Sequence, residues 1–207
     1  STYADKAKVT VKGSVRITGN TVKGGKGSSN PCYGGGIYNS GTLEIGENAQ
    51  IIGNAAEDSG RNTAYGGGIY NTVYGKVKIG GNAKISGNTV EPTIDNSATA
   101  HGGGIYNSGT LEMTGGVIGG DAEGEGNTAK AECMGTTTAY YAKSYGGGVY
   151  NTGTFTMSGG VIKGNGVSAA AEKTGPVKEA FGSGVYNAGK FTMSGDALVD
   201  TGNDVYL

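Results

Sequence analysis

The chain has 207 residues, of which 44 are glycine and 3 proline, and 35% are hydrophobic. Glycine at this level without a Gly-X-Y period excludes collagen, and apolar residues gathered into short alternating runs exclude a disordered chain. With 16 basic and 17 acidic residues, a formal net charge of −1 and no basic patch, the pattern argues against nucleic acid and anionic membrane surfaces as partners, and no apolar run approaches the roughly 20 residues that insert across a bilayer.

The first readable element is VTVKGSVRITGN, Val9 to Asn20. It holds two short runs in which apolar and polar residues alternate, the period of a β-strand. YGGGIYN, Tyr33 to Asn39, then opens a longer unit. It leads into TLEI (Thr42 to Ile45), a turn, NAQII (Asn48 to Ile52), a Gly-Asn pair and a polar stretch. The second unit repeats this order with YGGGIYN (Tyr65 to Asn71), KVKI (Lys76 to Ile79) and NAKIS (Asn82 to Ser86). The third has HGGGIYN (His101 to Asn107), TLEM (Thr110 to Met113) and GGVIG (Gly115 to Gly119). The fourth has YGGGVYN (Tyr145 to Asn151), TFTM (Thr154 to Met157) and GGVIK (Gly159 to Lys163). The fifth has FGSGVYN (Phe181 to Asn187), KFTM (Lys190 to Met193) and DALVD (Asp196 to Asp200), and GNDVYL (Gly202 to Leu207) opens one more. The phrase starts at residues 33, 65, 101, 145 and 181, so a constant unit carries insertions of changing length.

These runs predict an all-β chain folded as one domain, residues 1–207: a right-handed, single-stranded parallel β-helix. Three short strands per coil are expected, in about five full coils with partial coils at each end. A propeller blade needs about four strands, which these units do not supply. Alternation points one residue in and the next out. The expected interior columns are Ile37, Ile69, Ile105, Val149 and Val185; then Leu43, Val77, Leu111, Phe155 and Phe191; then Ile45, Ile79, Met113, Met157 and Met193. The third run adds Ala49, Ala83, Val117, Val161 and Ala197, with an Ile or Leu nearby. Outward go Glu44, Lys78, Glu112, Thr156 and Thr192, a solvated ion-pair ladder. Residues 21–32, 55–64, 89–100, 121–144 and 166–180 are expected as loops on one edge, where variation and binding concentrate. Ser1 to Ala7 is expected to cover an open sheet edge.

The glycines sit where stacked corners leave no room for a side chain. Asn39, Asn71, Asn107, Asn151 and Asn187 form a column whose amides can bond coil to coil, a structural ladder. Tyr38, Tyr70, Tyr106, Tyr150 and Tyr186 point outward by parity, continued by Tyr206. A second aromatic column, Tyr33, Tyr65, His101, Tyr145 and Phe181, precedes the glycines. Two readings stand: rings stacked to stabilise the coil, or a platform for sugar rings or an extended partner. Tyr140 and Tyr141, in the longest insertion (TTTAYYAKSY, Thr136 to Tyr145), join the candidate ligand-binding set.

GGGIYNSGTLEMTGGVIGG (Gly102 to Gly120) and GGGVYNTGTFTMSGGVIKGN (Gly146 to Asn165) resemble the right-handed parallel β-helix repeats of large adhesin-like bacterial surface proteins of the Gram-positive gut anaerobe type. More distantly they are similar to the GGA and FxxN repeats of chlamydial polymorphic membrane proteins, though the Phe is missing here. The resemblance spans nearly the whole chain. It implies an extracellular setting, secreted or cell-wall anchored, within a larger polypeptide. It also implies a structural or adhesive role, although the same fold hosts lyases and hydrolases.

Catalytic chemistry is not expected. No carboxylate pair stands out on adjacent coils: Glu44 and Glu112 lie two coils apart, whereas glycoside hydrolysis needs two carboxyls on one cleft. His101 stands at a position otherwise filled by Tyr or Phe, so it reads as an aromatic substitute. Asp121, Glu123 and Glu125 lack calcium-loop spacing, and two cysteines, Cys32 and Cys133, make no zinc site. Those cysteines read as one bond or two free thiols. No metal or cofactor is expected; the expected partner is a glycan or a host or bacterial surface protein. The alternative is a carbohydrate-binding module of a polysaccharide-degrading enzyme, and behind it a polysaccharide lyase or hydrolase.

Overall fold

The computed structural model describes residues 7–25, 31–60, 63–135, 140–171 and 177–207. Among these there is no helix, and every strand pairing is parallel. The strands stack as a β-solenoid of about five turns. Of the segment expected to cover the first coil only Ala7 is described, and Arg61 and residues 136–139 also lie outside the described residues.

The repeated phrase supplies one sheet: Ile37–Asn39, Ile69–Asn71, Ile105–Asn107, Val149–Asn151, Val185–Asn187 and Val205–Tyr206. The second and third runs share a ten-stranded main sheet. In the first two full coils they are separate strands, Thr42–Ile45 with Gln50–Ile52 and Lys76–Ile79 with Lys84–Ser86. In the next two they fuse into Thr110–Gly119 and Thr154–Lys163, and the register slips at Thr114. The fusion follows from the sequence: the turns through Glu47 and Gly81 are replaced by Gly115-Gly116 and Gly159-Gly160, whose second glycines take φ of +85° and +91°. A glycine bulge lets the chain bend without leaving the ladder.

Register matches the predicted columns. Ile69 pairs with Ile37 and Ile105, Val77 with Leu43 and Leu111, and Ile79 with Ile45 and Met113. Phe155 continues the second column and stacks on Phe191 at 4.8 Å. Nearly all of these residues are buried in one aliphatic cluster; Met193, on the last coil, is exposed. Two expected core residues are corrected. Val117 and Val161 align with Lys84 and Gln50 on the outer face, and Ile118 and Ile162 fill the core with Ile85 and Ile51. The glycine bulge takes up the position that Ala49 and Ala83 hold in earlier coils, which shifts the parity by one.

The larger correction concerns the insertions. Residues 21–32, 55–64, 89–100, 121–144 and 166–180 are not mainly loops, and the coil has more than three strands. One sheet runs outward from the main body: Thr21–Gly24, Ala55–Asp58, Thr89–Ile94, Thr128–Cys133 and Gly166–Ala171. Another returns: Cys32–Tyr33, Thr63–Tyr65, Ala98–His101, Tyr141–Tyr145 and Val177–Phe181. The two sheets pack on each other as a flat lobe with its own core. That core is Ala56, Ala64, Val90, Ala98, Ala100, Ala129, Ala131 and Ala142, with Cys32 and Cys133. Facing strands of the lobe bring Cα atoms within 8 Å, closer than the ~10 Å of ordinary face-to-face sheets. Such a gap suits small side chains, mostly alanine, with Val90 and the two cysteines.

Candidate interaction surface: ladders, neck and lobe

Two amide ladders run the length of the solenoid. In the predicted one, each side-chain amide donates to the Oδ1 of the Asn one coil on: Asn39 to Asn71 at 2.8 Å, Asn71 to Asn107 at 2.7 Å, Asn107 to Asn151 at 2.6 Å and Asn151 to Asn187 at 2.7 Å. Each also caps a carbonyl at the corner between phrase and main sheet, as Asn71 does for Thr110. The second ladder was not anticipated: Asn20, Asn54, Asn88, Asn127, Asn165 and Asn203. Here both the side-chain amide and the backbone N–H of each Asn donate to the next Oδ1; Asn88 does so to Asn127 at 2.8 and 3.1 Å. The recurring Gly-Asn pair carried this signal in the sequence.

That second ladder lies where the chain leaves the main coil for the lobe, and the glycine triplet lies where it comes back. Together they form a neck. A Cβ on Gly67 would stand 2.3 Å from the Thr89 carbonyl and 2.5 Å from that of Gly103. One on Gly68 would stand 3.0 Å from the Asn88 amide. The three glycines are therefore fixed by a close approach of backbones, not by a ligand.

The tyrosines of the phrase stack as predicted, from Tyr38 through Tyr70, Tyr106, Tyr150 and Tyr186 to Tyr206, with centroids 5.0–5.3 Å apart. The second column stacks beside them: Tyr33 on Tyr65 at 5.3 Å, Tyr65 on His101 at 5.0 Å, His101 on Tyr145 at 5.6 Å and Tyr145 on Phe181 at 6.3 Å. The columns also interlock. Tyr33, Tyr65 and His101 each set an edge against the phrase tyrosine one coil on, at 4.8, 5.0 and 4.5 Å. The outward-pointing rings are thus interlocked with a second column rather than freely open along their length. Tyr38, on the first coil, is 59% exposed, while Tyr70, Tyr106, Tyr150 and Tyr186 are half-buried under their neighbours. Interlocked aromatic pairs contribute roughly 0.5–1.5 kcal/mol each beyond their buried area.

Burial raises the phenol pKa of Tyr65, Tyr70 and Tyr106, and it pushes Tyr150 up to about 12. Tyr145 is raised by burial and by its hydrogen bond to Glu179, 2.7 Å. These rings stay neutral across the physiological range. His101 sits flat between Tyr65 and Tyr145, and burial lowers its pKa to about 4. Its Nδ1 is buried without a hydrogen-bond partner. The imidazole is a ring in the stack, a geometry that suits the aromatic-substitute reading. Tyr140 packs against the alanine core. Tyr141 is exposed, with the Lys143 ammonium 5.0 Å from its ring centroid.

Most of the charged groups pair coil to coil. Glu44 takes Lys8 at 2.9 Å, while Glu112 takes Lys76 at 2.5 Å and Lys78 at 3.9 Å. The pairs Lys23–Glu57, Glu91–Lys130 and Lys130–Glu132 line the outer face of the lobe, and Lys130 is pushed up to about 12, first by Glu132 and then by Glu91. Glu57 and Glu91 are register partners on adjacent coils. The expectation that no adjacent-coil carboxylate pair exists is therefore overturned; the pair was concealed in segments read as loops. In the acidic turn, Asp121 pairs with Lys163 and Glu125 with Lys84. Among the described residues no group of His, Cys, Asp or Glu is arranged to hold a metal. Cys32 and Cys133 are free and buried in the lobe, and the Cys32 thiol is raised by burial. Comparison with protein-family models, with curated proteins and with solved structures gives no match to this chain.

Proposed function

We propose that this solenoid is a non-catalytic module of a bacterial surface protein, a rigid stalk that presents an adhesive surface outside the cell. The carrying observation is that the recurrent polar and aromatic residues are engaged with the next coil: two amide ladders and two interlocked ring columns. A rod cross-linked in this way resists bending and local fraying, which suits a spacer. The aromatic rings a ligand can reach lie on the outer rim and include Tyr38, Tyr74 and Tyr141. Exposed aromatics of this kind stack on sugar rings or on an extended protein segment. A glycan array and an adhesion assay, run with Tyr38→Ala and Tyr141→Ala, test the reading. Binding lost with the far-ultraviolet spectrum unchanged supports a rim site. Unaltered binding in both variants removes the rim from the proposal.

A carbohydrate-active reading is kept for one reason. Glu57 and Glu91 stand side by side on a shallow groove of about 410 Å³ with Lys23 and Thr93. Retaining glycosidases hold two carboxyls about 5 Å apart. Each Glu here is tied up in an ion pair with a lysine, Glu57 with Lys23 and Glu91 with Lys130. Cleavage of a uronan or neutral polysaccharide that disappears in Glu57→Gln would replace the stalk reading with an enzymatic one.

A further inference from the structure

We infer that the outer face of the main sheet carries a binding slot for an acidic sugar, a uronate residue of a glycan. Its carboxylate pairs with Lys12 and Lys78, and its hydroxyls donate to Glu44 and Glu112. The slot needs none of the rim rings, since Tyr38 and Tyr141 stand on the phrase sheet and on the lobe. Register makes the floor. The position that follows the second run is Lys12 on the first strand, Gly46 and Gly80 on the next two, and Thr114 on the fourth. Two glycines between two side chains leave a trough two coils wide, about 10 Å. Its volume is about 340 Å³, at the small end of ligand clefts.

The charge around the trough is unevenly matched. Glu44 pairs with Lys8 at 2.9 Å and Glu112 with Lys76 at 2.5 Å. Lys8 and Lys76 belong to the column on the far side of the glutamates from the trough. On the near side, Lys78 has only Glu112, at 3.9 Å, and Lys12 has no carboxylate within ion-pair distance among the described residues. Glu47, the other acid at this end, turns its Oε2 to the Gly13 amide at 2.9 Å. The Lys12 stem lies along the floor, its Cγ and Cε 3.9 Å from where a Cβ on Gly46 would stand. Glu44 is held below its usual pKa first by the hydrogen bond from Lys8. The charges of Lys78 and Lys12 act in the same direction, so both ammonium groups stand near that carboxylate.

The combination selects the ligand class. Two lysines with unmatched charge attract an anion. Beside them the carboxylates of Glu44 and Glu112, 26% and 35% exposed, accept hydrogen bonds and repel a second anion. Ile45 and Ile79 turn their side chains into the core, so the floor presents backbone and no apolar patch. A uronate ring carries one carboxylate and several hydroxyl donors, and it meets both demands. An acidic peptide brings the anion with few donors, and a neutral sugar brings the donors alone. The exposed Lys78–Glu112 contact gives way at little cost when a ligand competes for the lysine.

Isothermal titration calorimetry with oligogalacturonate, oligoguluronate and oligoglucuronate, at low and at raised salt, tests this. At least one is expected to bind, more weakly as salt rises, and its methyl ester is expected not to bind. Lys78→Met removes a charge from the slot. Gly46→Leu fills the floor, where a Cβ meets only the Lys12 stem at 3.9 Å. Each is expected to weaken binding about tenfold or more, the scale of a lost charge-assisted hydrogen bond, while circular dichroism and the melting midpoint stay put. Tyr38→Ala and Tyr141→Ala are expected to leave uronate binding unchanged, which separates the slot from the rim. Failure of all three uronates to bind overturns the inference. So does binding that survives both slot variants, or binding as tight for the methyl ester, for oligoglutamate or for a sulfated neutral oligosaccharide. Should one slot variant unfold, Lys12→Met takes its place: weakened binding there supports the slot, and unchanged binding overturns it.

Discussion

The main coil and the lobe bury their interiors in different ways. Under the main sheet lie Leu43, Ile79, Leu111, Met113, Phe155 and Ile162, long side chains in fixed columns. Inside the lobe lie alanines, two cysteines and Val90. Burial is worth about 25 cal/mol per Å² of apolar surface, so the first core supplies much more stability per coil than the second. The lobe compensates by closeness. Its sheets lie near enough for methyl groups to touch, and its outer faces carry the ion pairs Lys23–Glu57, Glu91–Lys130 and Lys143–Glu179. The neck of asparagines and glycines joins them. One chain can thus hold two solenoid layers of unequal strength, with the strong layer setting the spacing that the weak one adopts.

The comparison breaks first at its strong end. Phe155→Ala empties a fully buried site between Leu111 and Phe191. It is expected to cost about 3–5 kcal/mol in urea denaturation, the range for Phe to Ala in a packed core. A loss below about 1 kcal/mol, well under that range, would mean that the aliphatic columns are not the dominant layer.

At the neck, Asn88 holds both layers. Its amide donates to Asn127 and to the Ile51 carbonyl at 2.9 Å, and its Oδ1 accepts both N–H groups of Asn54 at 3.0 Å. Asn88→Ala orphans buried groups on two sides, and each such group costs about 1–3 kcal/mol. A net loss of about 3 kcal/mol is expected, with hydrogen exchange rising on both the main strand and the outbound strand of that coil. Exchange rising in the lobe alone would show that the ladder serves the weak layer only.

The same contrast explains what could be read in the sequence. The strong layer was legible because long apolar residues alternate visibly: Leu43-Glu44-Ile45 or Phe155-Thr156-Met157 announces a strand and its inner face. The lobe also alternates, but in a fainter alphabet. In Ala129-Lys130-Ala131-Glu132-Cys133 the inward residues are small, and small residues carry little hydropathy, so the strand resembles a polar loop. Glu57 and Glu91 were missed for that reason, since their pairing depends on strands that did not register. Val117 and Val161 were placed on the wrong face because parity was carried across a glycine bulge. The tyrosine stack was visible from parity, but its partial burial was not, because the covering column arrives from the returning lobe strand.

His101 ends such a strand, Ala98–His101, and probes the junction by pH. Its pKa falls from 6.5 to about 4 on folding. A histidine with a lowered pKa leaves stability intact above 6.5 and erodes it as pH falls from 6.5 towards 4, because the unfolded chain binds the proton more readily. Facing the ring are Tyr65, Tyr106, Tyr145 and Tyr150, all neutral there, with Glu179 reached through the Tyr145 hydroxyl. Glu44 and Glu179, whose pKa values are lowered chiefly by hydrogen bonds from Lys8 and Tyr145, lose their contribution only below their unfolded value of 4.5. The window from 6.5 to about 5 therefore belongs to His101. His101→Phe, the side-chain type already at Phe181, is expected to outlast the parent by about 2 kcal/mol at pH 5 and to lack the slope. Parallel pH curves for the two proteins would show that the ring is hydrated in solution.

The smallest effect tests whether the layers unfold together. Cys133 is buried among the lobe alanines and is not bonded to Cys32. Cys133→Ala removes one sulfur from a methyl-lined site and is expected to cost only about 1 kcal/mol. The thiol itself is the better instrument. A thiol reagent reaches Cys133 only when the sheets of the lobe part, so its labelling rate reports the free energy of that opening. Weakly buried segments open locally at less than the global cost. Labelling of Cys133, with Cys32 replaced by Ala, is therefore expected to report an opening free energy below that from urea unfolding of the main sheet. Phe155→Ala should lower the global value while leaving the labelling value nearly unchanged. If both values fall together, the asparagine neck couples the layers into one cooperative unit, and the weak core survives because the strong one cannot open without it.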